Sequence, residues 1–578
     1  GLGLCVYAVA AALAGRWTRR PLLEASAARA VLAMWVSVTV AIAALWVLFL
    51  QDNFGVGYVA AHSNRAMPAL YKAAALWSGQ EGSLLFWSWL LACYSVAAVW
   101  LNRRTLPGLQ AYVITTLMVV EAFFLVLNNF LASPFTVLGI RTATGPAPFV
   151  PTDGNGMNPL LQYPAMAIHP PTLYLGYVGF SVPFAFAMAS LITRAPGEGW
   201  IRSTRRWTML AWLLLTVGIL LGARWAYAVL GWGGYWGWDP VENASLMPWL
   251  TATAYLHSVM MQEKKGMLKV WNMVLVFATF FLCIFGTSLT RSGVVSSVHA
   301  FAQSPIGPYF ATFLVAGITF ATWMILDRLD YLKSENRLES VVSRESSFLF
   351  NNLILLAACF AVLWGTLFPV ITEAVRGAKI TVGPPFYSKV NVPIGLFLLF
   401  LTGVGPLIAW RRSSLQSLEK SLFWPALCGL AAGALAFALG VRGFYPLISL
   451  LLCGFVTATI VLEFYKGARA IQRRTAVWFP LAVAQLTMRN TRRYGGYLVH
   501  LGIVFLFIGF TGRAFEVQKQ AQVRPGEPIQ VRNYKLTLES IEEDDNPNYS
   551  LQRAYVAVEK NGRAIATMLP EKLSLIHI

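Results

Sequence analysis

Residues Gly231 to Leu250 read GWGGYWGWDPVENASLMPWL. Trp232, Trp236, Trp238 and Trp249 are interleaved with Gly231, Gly233, Gly234 and Gly237 and closed by Asp239-Pro240 and Glu242. Indole offers the largest flat apolar face among side chains, and glycine lets backbone come close to a ligand. The stretch therefore suits a platform for a broad planar molecule. The alternative is an aromatic belt at the lipid headgroups, but belt tryptophans stand singly at span ends. These crowd into a loop too glycine-rich for a helix, with two carboxylates at the mouth of the next apolar run.

Outward from that loop, composition sets the class. Of 578 residues, 57% are hydrophobic and 12% charged, and the mean hydropathy is +0.58. This is a polytopic membrane protein. Apolar runs of spanning length fall at about 2–14, 31–50, 76–100, 111–131, 173–191, 209–230, 241–261, 270–289, 309–326, 348–370, 393–410, 422–439, 445–462 and 497–510, predicting an all-α fold of about fourteen transmembrane helices. Cys5, Cys93, Cys283, Cys359, Cys428 and Cys453 stand alone in such runs with no CxxC spacing, as small core residues do.

The net charge of +19 would suggest nucleic acid in a soluble domain. Here alternate loops carry it, roughly 27 Lys and Arg in one set against about 9 in the other. The basic set, with Arg16, Arg103, Arg205, Lys264, Arg411, Arg473 and Arg492, is expected in the cytoplasm. The Trp-rich loop then lies outside the cytoplasmic membrane, and no nucleic-acid partner is implied. No P-loop and no GxGxxG occurs, which argues against direct nucleotide use.

Between Phe464 and Gly496 a short apolar patch, Val477 to Leu486, is interrupted by Pro480 and reads as an interfacial helix. After Phe510 the chain turns polar. Alternation at Tyr534–Leu538 and Tyr555–Glu559, the latter leading through Asn561-Gly562 into Arg563–Leu569, predicts a small β-rich outer domain. The division expected is 1–512 transmembrane, with the Trp-rich loop at about 225–250, and 513–578 outer. Gly1 begins inside an apolar run and the chain stops at Leu575-Ile-His-Ile, so native termini are expected beyond both ends, and His577 receives no role.

His257 lies about seven residues before Lys264 and His500 about seven after Arg493, so each sits roughly 10 Å from the basic loops. Imidazoles at one depth on two distant helices are what axial coordination of a haem iron requires; two unrelated polar contacts are the other reading. His169, ahead of Pro170-Pro171, and His299 face the compartment of the Trp-rich loop. They are either axial ligands to a porphyrin stacked on Trp232, Trp236 and Trp238, or ordinary loop histidines. Glu121, near the middle of a span, is either a proton-uptake group or hydrogen-bonded to a neighbour. Arg224 and Arg291 are either cationic partners of propionates or interfacial anchors. Gly218 and Gly222 form a small-xxx-small pair suited to helix packing. His62 and Glu81 lie on the outer side without a pattern.

The stretch WGGYWGWDPVENASLMPWL, with AIHPPTLYLGYVGF, LTRSGVVSSVHAFA and WSGQEGSLLFW, resembles the WWD-domain haem lyases of cytochrome c maturation, the CcmF family, over essentially the whole chain. Tyr235 stands where a second tryptophan often does. The resemblance implies a metal-binding membrane protein in which His257 and His500 hold an embedded haem b. It also implies that His169 and His299 flank the catalytic site of Trp232, Trp236, Trp238 and Asp239, where haem is substrate. It further implies a periplasmic haem chaperone as donor, apocytochrome c with a CxxCH segment as acceptor, other cytochrome c maturation membrane subunits as partners, and possible use of quinol. The setting is the bacterial inner membrane with the active face towards the periplasm. A haem transporter and a b-type quinol dehydrogenase are the alternatives.

Overall fold

The computed structural model describes residues 1–103, 106–142, 145–195, 197–230, 233–292, 305–336, 343–408, 415–545 and 549–574. Among these residues the helices are α1 (Leu2–Trp17), α2 (Pro21–Leu50), α3 (Gly57–His62), α4 (Ala69–Ala74), α5 (Gln80–Asn102), α6 (Pro107–Phe130), α7 (Pro164–Gly179), α8 (Ser181–Thr193) and α9 (Gly199–Val229). There follow α10 (Pro240–Lys265), α11 (Lys269–Ser292), α12 (Gly307–Asp327), α13 (Arg344–Arg376), α14 (Pro384–Val404), α15 (Leu415–Ala438), α16 (Phe444–Thr475), α17 (Phe479–Arg489) and α18 (Thr491–Thr511). A hairpin of β1 (Gly139–Thr142) and β2 (Gly145–Pro148) lies between α6 and α7.

Twelve spans among the described residues are long and apolar enough to cross a membrane. The other two expected spans fall on α1, an apolar helix of 16 residues, and α10, which has 26 residues but more polar ones. Helix α2 shows how such a span is specified. Pro21 opens it, where a missing N–H costs nothing, and its interior has neither Gly nor Pro. Ala27, Val31, Met34, Val38, Ile42, Leu45 and Phe49 recur at three and four residues and are buried, while Val36, Val40 and Val47 on the other side are exposed. Both faces are apolar, as a helix between protein and lipid requires.

The run at 173–191 is longer and more broken than the sequence predicts. The helix begins at Pro164, so His169 lies within α7 rather than ahead of it, and the chain breaks at Phe180 before α8. Pro183 has no N–H for the carbonyl of Gly179 and its ring crowds that turn. Pro480 likewise does not interrupt the apolar patch: it sits in the first turn of α17, whose Leu481 and Met488, with Trp478 at the N-cap, stay exposed. Cys428 departs from the core reading, since it is exposed on α15.

The C-terminal sheet has β3 (Pro528–Val531), β4 (Tyr534–Asp545), β5 (Ser550–Lys560) and β6 (Arg563–Met568) in that order, with β7 (Glu571–Ser574) also on β5. The Asn561-Gly562 turn has φ of 51° and 78° and pairs Lys560 with Arg563 and Val556 with Met568, as the sequence predicts. Both turn residues need positive φ, which Asn and Gly supply at least strain.

Candidate functional site

The imidazoles of His257 on α10 and His500 on α18 face each other, with centroids 6.1 Å apart and planes within 5°. α10 and α18 are not packed side by side; they meet through these rings and through an ion pair nearer the basic end. There Glu263, with a side chain only 7% exposed, joins Arg205 of α9 and Arg492 of α18, the latter at 2.8 Å. Glu463 of α16 holds Arg493, whose Nε donates to Tyr497 at 3.1 Å. These ties fix the azimuth of both helices. A carboxylate buried between two guanidiniums is stabilising only while both stay.

Each ring of the pair has one nitrogen to spare. His257 Nδ1 is engaged with the Thr253 carbonyl at 2.8 Å, one turn back, which leaves Nε2 as the ring's remaining nitrogen. His500 Nδ1 is buried and has no hydrogen-bond partner among the described residues. Two buried imidazoles 6.1 Å apart on separate helices are the kind of nitrogen donors that haem iron takes. The donor set therefore fits a haem iron.

His169 is set by α7 and α9. Pro170 and Pro171 lie inside α7, and the Met166 carbonyl, which a residue at 170 would normally cap, accepts instead from Trp77 Nε1 at 3.2 Å. His169 Nδ1 is 2.8 Å from the Gly218 carbonyl. A Cβ on Gly222 would lie 2.6 Å from His169 Cε1, and one on Gly218 would lie 2.7 Å from Leu173 Cα. Gly218 thus serves packing, as its spacing suggested, whereas Gly222 also makes room for the imidazole. His169 lines a cavity with Trp77, Tyr174, Trp225, Thr287 and Arg291. Arg291 donates to the Tyr174 hydroxyl at 2.6 Å, while Arg224 is exposed.

The Trp-rich loop is held from both sides. Trp238 stacks on Tyr387 of α14 at 5.1 Å and 7°, and Trp236 meets Trp238 edge-on at 5.9 Å and 89°. Tyr235 lies on Phe510 of α18 at 5.6 Å. The rings are not a parallel pile: one face of Trp238 is already covered by Tyr387. Trp238 has φ of +57°, a left-handed conformation that is costly for an aromatic residue. Asn243 Nδ2 holds its carbonyl at 3.2 Å and also reaches Thr366 Oγ1 at 3.1 Å.

Asp239 and Glu242 form a capping box at the start of α10. Asp239 Oδ2 accepts from Val241 N at 3.0 Å, and Glu242 Oε2 accepts from Asp239 N and Gly237 N at 3.1 and 2.9 Å. Both carboxylates thus meet the free N–H groups and the positive end of the helix dipole. Trp232 and His299, read from sequence as part of this site, lie outside the described residues.

Other polar groups behave differently. Glu121 is fully buried and neither carboxyl oxygen has a hydrogen-bond partner among the described residues. His62 is packed on Tyr58 at 4.4 Å, its Nδ1 2.9 Å from the Tyr58 carbonyl. Burial holds its pKa below the ordinary imidazole value. Sequence reasoning missed Tyr387, Phe510 and Glu263, because a single aromatic or acid in an apolar helix carries no signal of what it faces.

Comparison with known proteins bears on the whole chain. A family described as "Cytochrome C assembly protein" matches residues 77–295, and one described as "CcmF C-terminal beta-sandwich" matches residues 514–574. The cytochrome c-type biogenesis protein CcmF of Haemophilus influenzae is 36% identical over 93% of this chain and 81% of its own length. CcmF of Pseudomonas aeruginosa is 37% identical over 91% and 78% respectively. A solved structure, "Cytochrome c Heme Lyase CcmF", superposes with a TM-score of 0.78 at 28% identity, covering 100% of this chain and 85% of its own.

Proposed function

The chain belongs to the CcmF family of cytochrome c biogenesis proteins and takes part in cytochrome c maturation, and from that premise we propose that it is a haem lyase acting at the periplasmic face of the bacterial inner membrane. Its substrates are haem, delivered by a periplasmic haem chaperone, and the CxxCH segment of apocytochrome c. Each substrate thiol adds across a vinyl group: sulfur bonds one carbon, the thiol hydrogen goes to the other, and nothing is oxidised. The thiols come from the apocytochrome, since the six cysteines of this chain form no CxxC pair. What remains for the protein is positioning.

His169 and His299 would bind the iron of the substrate haem, and Trp232, Trp236 and Trp238 would offer it their aromatic faces. The Asp239 carboxylate holds the loop against α10, and Arg291 offers the cationic partner for a propionate. His257 and His500 hold an embedded haem b, which when bound supplies one-electron chemistry at a fixed depth, with quinol as the source. Residues 1–512 form the membrane part and 513–578 a periplasmic domain of their own, beside other maturation subunits.

One observation carries the reading: the chain holds two histidine sites, one a facing pair bounded by the arginines of the basic end, the other a histidine in a cavity with a cation. A transporter, with the inner pair as a way-station and the Trp-rich loop as an exit, would need a haem route from the cytoplasm through the helices, whereas the lyase needs only outer access. Cytochrome c maturation in cells whose own lyase is deleted tests it. Complementation by this chain, lost in His169→Ala while the purified variant keeps its haem b spectrum, is expected. Thioether attachment at the wild-type rate in His169→Ala would overturn the outer assignment.

A further inference from the structure

Between the two histidine sites stands a feature neither uses. Trp212 of α9 and Trp249 of α10 lie 6.0 Å apart with planes within 23°. Trp212 Nε1 donates to Thr253 Oγ1 of α10 at 2.9 Å, and Trp249 Nε1 donates to Thr216 Oγ1 of α9 at 2.8 Å. Each threonine then donates to the carbonyl of the tryptophan one turn back on its own helix: Thr216 to Trp212 and Thr253 to Trp249, both at 2.7 Å. The same Trp-xxx-Thr step on two neighbouring helices closes a ring of four hydrogen bonds.

The ring continues at both ends. The Thr253 carbonyl meets His257 Nδ1 at 2.8 Å. Two residues beyond Thr216, the Gly218 carbonyl meets His169 Nδ1 at 2.8 Å. An unbroken path of bonds and hydrogen bonds therefore joins the inner pair to the outer histidine. It runs through a small apolar cluster of its own, with Leu173, Tyr177, Leu215, Ile219 and Cys283 around the indoles. Along α10 the rise places Trp249 about 12 Å from His257 and about 15 Å from Asp239, close to midway. Filling this space alone would not need two indoles, because a buried N–H must find an acceptor and leucine or phenylalanine has none to satisfy.

We propose that Trp249 and Trp212, cross-bonded through Thr216 and Thr253, form the path along which an electron crosses from the inner histidine pair to the outer site. The proposal rests on the reading of His257 and His500 as haem ligands given above. The balance is one electron and no proton: the inner iron goes from ferrous to ferric and the substrate iron from ferric to ferrous. A quinol, giving two electrons and two protons, restores the inner iron twice. The indoles are not themselves oxidised. They shorten the gaps, since tunnelling decays exponentially with distance and faster across a gap than through bonds.

The test is rapid-mixing absorption spectroscopy on purified protein carrying haem b, reduced, freed of excess reductant and mixed with ferric haem. Trp212→Phe/Trp249→Leu is expected to slow oxidation of the inner haem about tenfold with its ferrous spectrum unmoved, a pattern that loosened packing alone would not give. Thr216→Val, which leaves both rings in place, is expected to slow it less, and provides the readout should the double variant lose haem. Wild-type oxidation rates in variants that retain haem b would overturn the path. A wild-type protein without haem b would instead overturn the reading of the histidine pair, so the two failures are distinct.

Discussion

His257 of α10 and His500 of α18 present parallel imidazoles 6.1 Å apart on helices that are also tied by the Glu263–Arg492 ion pair. With the protein free of metal, two buried imidazoles gain little from facing each other, and His500 Nδ1 finds no partner among the described residues. A haem iron between them, as proposed above, would give both rings a partner. Either His257→Ala or His500→Ala is expected to abolish a low-spin haem b absorption spectrum while the purified protein stays monodisperse. Unchanged spectra in both variants would refute the ligation.

Gly222 is the contact that seats His169. An added Cβ 2.6 Å from Cε1 and 3.0 Å from Nδ1 cannot be accommodated without moving the imidazole. Gly222→Ala is expected to cost about 1–3 kcal/mol of stability and to lower cytochrome c maturation, while the inner haem spectrum is unaltered. Maturation at the wild-type rate would show that the position of this ring does not matter to the outer chemistry.

The capping box separates two roles for Asp239. Asparagine caps a helix as well as aspartate does, and alanine does not, at a cost of about 1 kcal/mol. Asp239→Asn is expected to keep both thermal stability and maturation, whereas Asp239→Ala lowers both. Should the asparagine variant be as stable as wild type yet inactive, the negative charge itself would be required at the outer site.

His62 is expected to make stability depend on pH. Burial, with Arg291 adding to it, depresses the imidazole pKa against the opposing pull of the Tyr58 carbonyl and Glu81. The unfolded chain then binds the proton more readily than the folded one, so stability is present above the unfolded value of about 6.5 and is lost as pH falls below it. Thermal melts of the purified protein from about pH 7.5 to 5.5 should show a declining midpoint. His62→Gln should flatten that decline, and an equal slope in the variant would place the titration elsewhere.

Much of this was legible in the residues alone. Long apolar runs without charges must become helices in a bilayer, because no other local structure satisfies every backbone N–H and carbonyl there. For that reason the expected spans appear as helices and the Asn561-Gly562 hairpin appears in its expected register. The matched depth of His257 and His500 could be counted from their distances to basic loops, since rise per residue is fixed by the backbone. Sequence could not say that the rings would face each other. Azimuth is set by distant partners, here Glu263 with Arg205 and Arg492.

The Trp-rich loop shows the same division. Its composition marked it as a place where aromatic faces and close backbone gather, and Asp239 with Glu242 announced the start of α10. That Trp238 would spend one face on Tyr387, that Trp236 would turn edge-on, and that Trp249 would leave the loop to pair with Trp212 depended on which helices came alongside. Sequence by itself determined the apolar spanning helices, the small sheet and the common level of His257 and His500 along their helices, because these follow from local hydrogen bonding, hydrophobicity and a fixed rise per residue. Only the tertiary structure decided which side chains meet, because those contacts join helices whose order in the chain carries no record of their neighbours in space.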